Sequence, residues 1–355
     1  MKYFSLKTPK LGLSIVATAL IIVQAALIGK EFSPKNIPEY AAKSKIVRRV
    51  FNIQVPGFNH CYNPSIIPTE KGYLLAFRHD DPHSTAKKSR VFIGVVELDH
   101  DFAPMSLPHL LETGNEWSED PRLFAANDAI YVSHSHVTKV NPVICCMQLS
   151  KLDPKTLQVV QHTDLKYQPK EAEKNWTPFV YSKDSKQKIY YVYEFLPHRI
   201  LEVDPSLNGE AKVAYKDRRE KARLSAWEKR WGPIYGSTPA IQLENRYLSL
   251  FHTRFLHEKT WYYVFGAMLF EAKPPFRILK MSKEPIFFKG IYETPVPRHI
   301  WFYPWYNKKV IFPSGIVAGK EKGRDVFYVV CGENDVAIKC LVIDKKHLLD
   351  SLKDV

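Results

Sequence analysis

The chain has 355 residues, with 51 Lys and Arg against 37 Asp and Glu, for a formal net charge of +14. This length admits one large domain or two smaller ones, and the 45% hydrophobic content suffices for a sizeable core, which excludes a disordered chain. The basic excess suits an anionic partner (a membrane surface, a phosphate or a nucleotide) or equally a basic solvated surface. Nucleic acid is not expected as a partner, because no nucleic-acid-binding motif accompanies the charge.

Leu11 to Gly29 is an apolar run preceded by Lys2, Lys7 and Lys10 and closed by Lys30. As a helix it would reach about 28 Å at ~1.5 Å per residue, close to the hydrocarbon thickness of a bilayer. The expectation is an N-terminal transmembrane (signal-anchor) or signal helix over 1–30. A cytoplasmic N-terminus would then place the rest of the chain on the extracytoplasmic side, as a single-pass membrane protein. The rival is a cleaved signal peptide, with small residues near Val23-Gln24-Ala25, giving a secreted or periplasmic protein. Residues 31–50, with Pro34 and Pro38, read as a stem.

From there to the C-terminus, 51–355, one unit recurs. Five Pro-centred motifs stand at Asn63-Pro64-Ser65, Glu119-Asp120-Pro121-Arg122, Asn175-Trp176-Thr177-Pro178, Gly236-Ser237-Thr238-Pro239 and Phe312-Pro313-Ser314-Gly315. Each precedes a strand rich in aromatic or β-branched residues: Tyr73–Arg78, Ala129–Val137, Lys188–Phe195, Arg246–Arg254 and Asp325–Gly332. A further strand then ends in an acid, at Asp99, Asp153, Asp204, Glu271 or Asp344. One all-β unit repeated about every 60 residues reads as a five-bladed β-propeller.

In such a fold the motifs would gather their polar side chains at one mouth of a central channel. Asp120 lies between Glu119 and Arg122, so a second carboxylate and a cation can tune its protonation. Arg78, Lys174, His252 and Arg254 would supply positive charge from other blades. An acid facing cations is what glycosyl transfer to an anionic acceptor, or from an anionic donor, requires.

These residues resemble glycoside hydrolase family 130, the β-mannoside phosphorylases and hydrolases, with related β-1,2-mannosyltransferases. The resemblance rests on Asn63 with Arg78, Glu-Asp-Pro-Arg at 119–122, Lys-Asn-Trp at 174–176 and Gly-Ser-Thr-Pro at 236–239. His252 with Tyr263, Tyr-x-x-Gly-x-Met-Leu at 263–269, Phe-Pro-Ser-Gly at 312–315 and Gly332-Glu-Asn-Asp335 extend it. It implies Asp120 as general acid, reaching the glycosidic oxygen through a sugar hydroxyl. It implies Asn63, Arg78 and Asp335 around the mannosyl unit, and Lys174, His252 and Tyr263 on phosphate or another anion. An oligosaccharide or glycan is then the substrate. No cofactor is implied, with inorganic phosphate a co-substrate if the reaction is phosphorolysis. The Arg-Asn pair that the phosphorylases carry shortly before the Lys-Asn segment has no counterpart around Lys155 to Lys170. Hydrolysis would need a base for water, for which Glu119, Glu194 and Glu333 are the candidates. Cleavage or phosphorolysis of β-mannosides leads, with a β-mannosyltransferase and a non-catalytic glycan-binding propeller as alternatives.

Other features are set aside. The odd cysteine count (Cys61, Cys145, Cys146, Cys331, Cys340) reads as mostly free thiols. His134 and His136 share a strand face, but no third ligand is evident, so no metal is expected. Ala211 to Trp231 reads as an inter-blade insertion with a helical apolar face, or a lid. Trp301 to Tyr306 reads as a sugar-stacking run or a packed turn.

Overall fold

The computed structural model describes residues 33–355 apart from 83–89, 141–142, 168–171, 185, 207, 218–221 and 297–306. The described strands form five antiparallel-built sheets. The first holds Cys61–Thr69, Gly72–Asp80, Val91–Leu98 and His109–Leu110. The second holds Ser118–Ala126, Ala129–Val140, Val143–Leu152 and Val159–Leu165. Thr177–Lys183, Lys186–Phe195, His198–Val203 and Ala211–Asp217 make the third. In the last, Ile311–Glu321, Arg324–Glu333 and Ala337–Asp344 are completed by the N-terminal strand Val47–Ile53, which closes the ring without a covalent link. The leading strands touch in turn about an axis: Cys61–Thr69 meets both Ile311–Glu321 and Ser118–Ala126, which meets Thr177–Lys183.

The expectation of a five-bladed propeller made from one repeated unit is corrected here. Four sheets have the plain four-stranded form of a blade, and the remaining one has seven strands. Its inner edge is broken into Tyr235–Gly236 and Ile241–Leu243, both paired to Arg246–His257. Pro239 sits in that break, where it has no N–H to give a ladder. Thr260–Glu271, Ile278–Ser282 and Leu352–Asp354 follow, and Asn307–Lys309 adds a parallel strand. The wider spacing of the acids around Glu271 reflects these additions.

The expected membrane anchor is corrected as well. Among the described residues no helix is long and apolar enough to cross a membrane. The apolar run Leu11 to Gly29 lies outside the described residues, so no described element supplies the transmembrane, signal-anchor or membrane-partner assignment or a single-pass topology. Residues assigned to a stem instead pack on the body. Helix α1 (Ile37–Lys43) buries Ile37 and Ala41, and Tyr40 stacks on Phe287. Helix α2 (Ala222–Trp231) buries Leu224, Trp227 and Trp231, whose rings meet Phe251 and Phe255 of the seven-stranded sheet. It is a packed insertion, and none of its residues lines the cavity described below. The run Trp301 to Tyr306 lies outside the described residues. All five cysteines are free.

The Pro-centred motifs explain how the ring presents polar groups. Pairing slips between Tyr62 and Ser65, between Glu119 and Arg122, and between Pro313 and Gly315, so these three motifs are β-bulges. Asn63 (φ 45°), Asp120 (φ 59°) and Asn175 (φ 63°) take the left-handed conformation, which Asn and Asp tolerate better than other side chains. Proline can occupy the unpaired bulge because it has no amide hydrogen to lose. The bulge turns the Asn or Asp side chain out of the sheet and toward the axis. Neighbouring sheets are then tied by short bonds: Leu123 N donates to Ser65 Oγ at 2.8 Å, and Ser314 Oγ to Pro64 O at 2.6 Å.

Close approach at this seam leaves no room for a side chain at Gly332, where a Cβ would lie 2.1 Å from Asn63 Oδ1 and 2.6 Å from Asn63 N. Gly332→Ala is expected to destabilise the protein by about 1–3 kcal/mol, as overpacking does. Urea unfolding checks this, and an unchanged midpoint contradicts it.

Candidate functional site

One cavity of about 930 Å³ opens at the axis, and Asn63, Arg78, Asp120, Lys174, His252, Tyr263 and Asp335 all line it. The seven residues expected from sequence are therefore brought together by all five sheets and their connections. Arg254, also expected there as a cation, lines it too; the partners that sequence reading passed over are Tyr62, Asp80, Trp117 and Lys308.

The acidic side is a compact ion network. Asp120 Oδ1 accepts from Asn63 Nδ2 at 2.7 Å and lies 3.5 Å from Arg78 Nη1. Glu119 Oε2 is 2.8 Å from Arg78 Nη1, and Lys174 Nζ donates to Glu119 Oε1. Arg78 Nε donates to Asp80 Oδ1 at 3.0 Å, and Tyr62 OH donates to Asp80 Oδ2 at 2.7 Å. Burial works against the Arg78 charge, but Asp80, Tyr62, Glu119 and Asp120 outweigh it and raise its pKa further. Burial dominates at Tyr62, whose phenol is pushed well up and stays protonated. Asp335 pairs with Lys308 Nζ across the mouth. Lys174, expected on phosphate or another anion, thus already holds a carboxylate.

Beneath this network lies Arg122, which is fully buried. Its Nε donates to Ser237 O at 2.7 Å, Nη1 to Asp120 O at 2.9 Å, and Nη2 to Asn175 Oδ1 at 3.1 Å. Burial lowers its pKa to about 10, with Asp120 opposing, so it remains a cation at neutral pH. Expected as a cation tuning the Asp120 carboxyl, Arg122 instead meets backbone carbonyls and the Asn175 amide. Arg122→Lys keeps charge but loses the planar fork, stranding buried carbonyls. A loss of at least about 2 kcal/mol is expected in chemical denaturation, and an unaltered unfolding curve refutes the assignment.

The opposite wall is aromatic and cationic. His252 Nδ1 is 2.9 Å from Ser237 Oγ, and its ring stacks with Tyr235 at 5.4 Å and Tyr263 at 6.3 Å. Burial first, then the charges of Arg122 and Arg254, hold the His252 pKa well below 6.5. His252 is therefore a neutral donor or acceptor at neutral pH, which corrects the expectation that it adds positive charge. Arg254 fills that role: its Nη1 donates to Tyr263 OH at 3.3 Å, and its guanidinium lies 5.3 Å from the Trp261 ring centroid.

The His252 shift has a definite sign. Below about pH 6.5 the unfolded chain binds a proton that the folded chain refuses, so stability falls as pH falls from 6.5. His252→Gln, which cannot titrate, is expected to show a shallower drop in urea midpoint between pH 7.5 and 5. Equal drops in the two proteins contradict this.

Glu333 and Asn334 build the remaining wall. Glu333 is buried, accepts from Tyr292 N at 2.6 Å, Thr294 N at 3.0 Å and Thr294 Oγ1, and lies 2.9 Å from Lys339 Nζ. Asn334 Nδ2 donates to Tyr292 O at 3.2 Å and Thr294 O at 2.7 Å. Both side chains hold the Tyr292–Thr294 stretch against the cavity. Of the expected bases for water, Glu333 and Glu119 are thus committed to other partners, and Glu194 lies outside the cavity at 2.9 Å from Arg199. Glu293, exposed at the rim, is a cavity carboxylate that sequence reading did not single out.

Neither protein-family models nor curated proteins match this chain. Solved structures do. MPT-1, a GDP-Man-dependent mannosyltransferase from Leishmania mexicana, superposes with a TM-score of 0.57 at 15% identity, covering 88% of this chain and 95% of that one. A hypothetical protein from Leishmania major gives 0.57 at 15% identity, over 90% and 97%. A structure from the GH130 family of mannoside phosphorylases, said to contain glycoside hydrolases that target β-1,2 mannosidic linkages in Candida mannan, gives 0.51 at 13% identity, over 81% and 85%. What is shared is the fold. At these identities the likeness extends to the propeller scaffold and to nothing finer.

Proposed function

We propose that this chain is a carbohydrate-active enzyme that holds a mannosyl unit in the axial cavity and passes it to a hydroxyl of a glycan acceptor. Asp120 is the group that exchanges the proton. The observation carrying this reading is the state of the cavity carboxylates. Glu119 and Asp80 have both oxygens engaged and Asp335 is paired with Lys308, whereas both contacts of Asp120, from Asn63 and Arg78, fall on Oδ1. Among the described residues Oδ2 has no hydrogen-bond partner, which leaves it for a sugar hydroxyl. The fixed Oδ1 sets the orientation that proton transfer requires.

Asn63, Arg78 and Asp335 would then surround the mannosyl unit, as the family resemblance implies. Lys174, His252 and Tyr263, joined by Arg254, would receive an anionic leaving group such as a nucleotide diphosphate. An ammonium has three N–H donors, so Lys174 can hold Glu119 and still donate to a phosphate oxygen. In transfer the acceptor oxygen bonds to the anomeric carbon, the carbon–oxygen bond to the leaving phosphate breaks, and Asp120 takes the acceptor proton. The likeness to a GDP-Man-dependent mannosyltransferase supports this reading. A second reading, hydrolysis of β-mannosides, draws support from Glu293 at the rim as a base for water and from the likeness to the GH130 structure.

Three incubations separate the readings: GDP-mannose with a mannoside acceptor, mannobiose alone, and mannobiose with phosphate. Donor consumption that depends on acceptor supports transfer; release from mannobiose without phosphate supports hydrolysis. In whichever assay turns over, Asp120→Asn is expected to cut turnover about 10²–10⁴-fold while leaving sugar binding within a few-fold. Retained turnover in that variant removes Asp120 from the role.

A further inference from the structure

Outside the cavity, the second sheet gathers three metal-ligating side chains of different kinds on one face. His136 pairs across the ladder with Cys146, and Asp164 is the diagonal neighbour on the next strand, opposite Gln148. One ligand atom from each of His136, Cys146 and Asp164 lies within 4.8 Å of the others. The Cys146 Sγ to His136 Nδ1 separation is 3.9 Å. Zinc at its usual bond lengths in a tetrahedron would need about 3.5 Å between sulfur and nitrogen, a shift that side-chain rotation supplies.

From this grouping we infer that His136, Cys146 and Asp164 form a binding site for a divalent, borderline-soft metal ion of the zinc class. Nitrogen, thiolate sulfur and carboxylate oxygen together suit zinc and disfavour magnesium or calcium, which take oxygen donors. The carboxylate is already oriented from behind. Gln148 Nε2 donates to Asp164 Oδ1 at 2.8 Å, and Asn115 Nδ2 donates to Gln148 Oε1 at 3.0 Å. Ligating carboxylates are held in this way by an outer shell of hydrogen bonds. His136 and Cys146 are half-buried while Asp164 is exposed, so a fourth position faces solvent and would carry water.

His134, which shares the strand face, is not part of the set. It is buried, with Nε2 3.1 Å from Ser150 Oγ. The adjacent residue Val137, together with Val143, lines the cavity. A metal at this place would cross-link three strands of a sheet that walls the cavity, stiffening it without entering it.

The test uses the full chain, stripped with a chelator and titrated with zinc and, separately, with cobalt(II) as a spectroscopic probe. One equivalent of zinc is expected to bind with a dissociation constant below about 1 μM. The thermal midpoint should rise with zinc and not with magnesium, and cobalt should give a thiolate-to-metal charge-transfer band. Cys146→Ser should abolish that band, and Asp164→Asn should weaken zinc at least tenfold. Gln148→Leu should weaken it by about 10–100-fold through the lost outer bond. His162→Gln, on the same strand as Asp164 but outside the set, should bind as the parent does. Should Cys146→Ser fail to fold, the exposed Asp164→Asn still decides. A cobalt spectrum without the thiolate band, zinc affinity indifferent to Asp164→Asn, or a loss that follows His162→Gln overturns the assignment.

Discussion

The structure depends on one buried cation. Arg122 spends its N–H donors on the carbonyls of Asp120, Gly236 and Ser237 and on the Asn175 amide, so one planar group joins segments from three sheets. Removing a guanidinium from water is expensive unless its donors are met. Here they are met mainly by backbone acceptors that the bulges and the broken inner edge leave unpaired. The arrangement is reciprocal: carbonyls stranded by irregular backbone need a donor, and the arginine needs acceptors. Its ring neighbour Phe312, 5.8 Å away on the closing sheet, extends the same contact.

Above this pin, repetition of local geometry becomes a site. The bulges at Asn63 and Asp120 turn an Asn and an Asp side chain toward the axis at the start of a leading strand, and rotation about the axis converts sequence spacing into proximity. Asn63 and Asp120 are 57 residues apart in sequence yet share a 2.7 Å hydrogen bond. The left-handed backbone at both positions is a strain that packing maintains, and sites of chemistry are where such strain is found. Rigid inner strands keep it in place.

Much of the site could be read in the chain because it is written in short local motifs. Asn63-Pro64, Asp120-Pro121 and Asn175 announce their turns by residue type, and the strands they precede stand out as runs of aromatic and β-branched residues. The additions that distinguish the seven-stranded sheet were less legible. Asn307–Lys309 joins in parallel from a distant segment, and no local pattern declares such a partner. The ionic partners were missed for a similar reason. Lys308 is one cation among many in a basic chain, and only folding reveals that it faces Asp335. His252 was misjudged because its charge depends on burial, which sequence alone does not show. The His136, Cys146 and Asp164 grouping was half visible as a histidine pair, but its other members lie on two further strands.

The pairing of charges inside the cavity bears on what kind of ligand it suits. Arg78, Lys174 and Lys308 each hold a carboxylate, so the cavity is not a bare cationic funnel. An anion arriving there would compete with internal partners for their donors, and would gain most where spare N–H groups remain. An ammonium with one partner retains such groups, and Arg254 beside Tyr263 has its guanidinium at the wall. Paired charges also fix side chains before a ligand comes, so little reorganisation accompanies binding. A neutral, hydroxyl-rich ligand exploits this arrangement well, since fixed carboxylates accept and fixed cations donate. In the proposed reading, sugar hydroxyls would meet the acidic side of the cavity and one anionic group its aromatic wall.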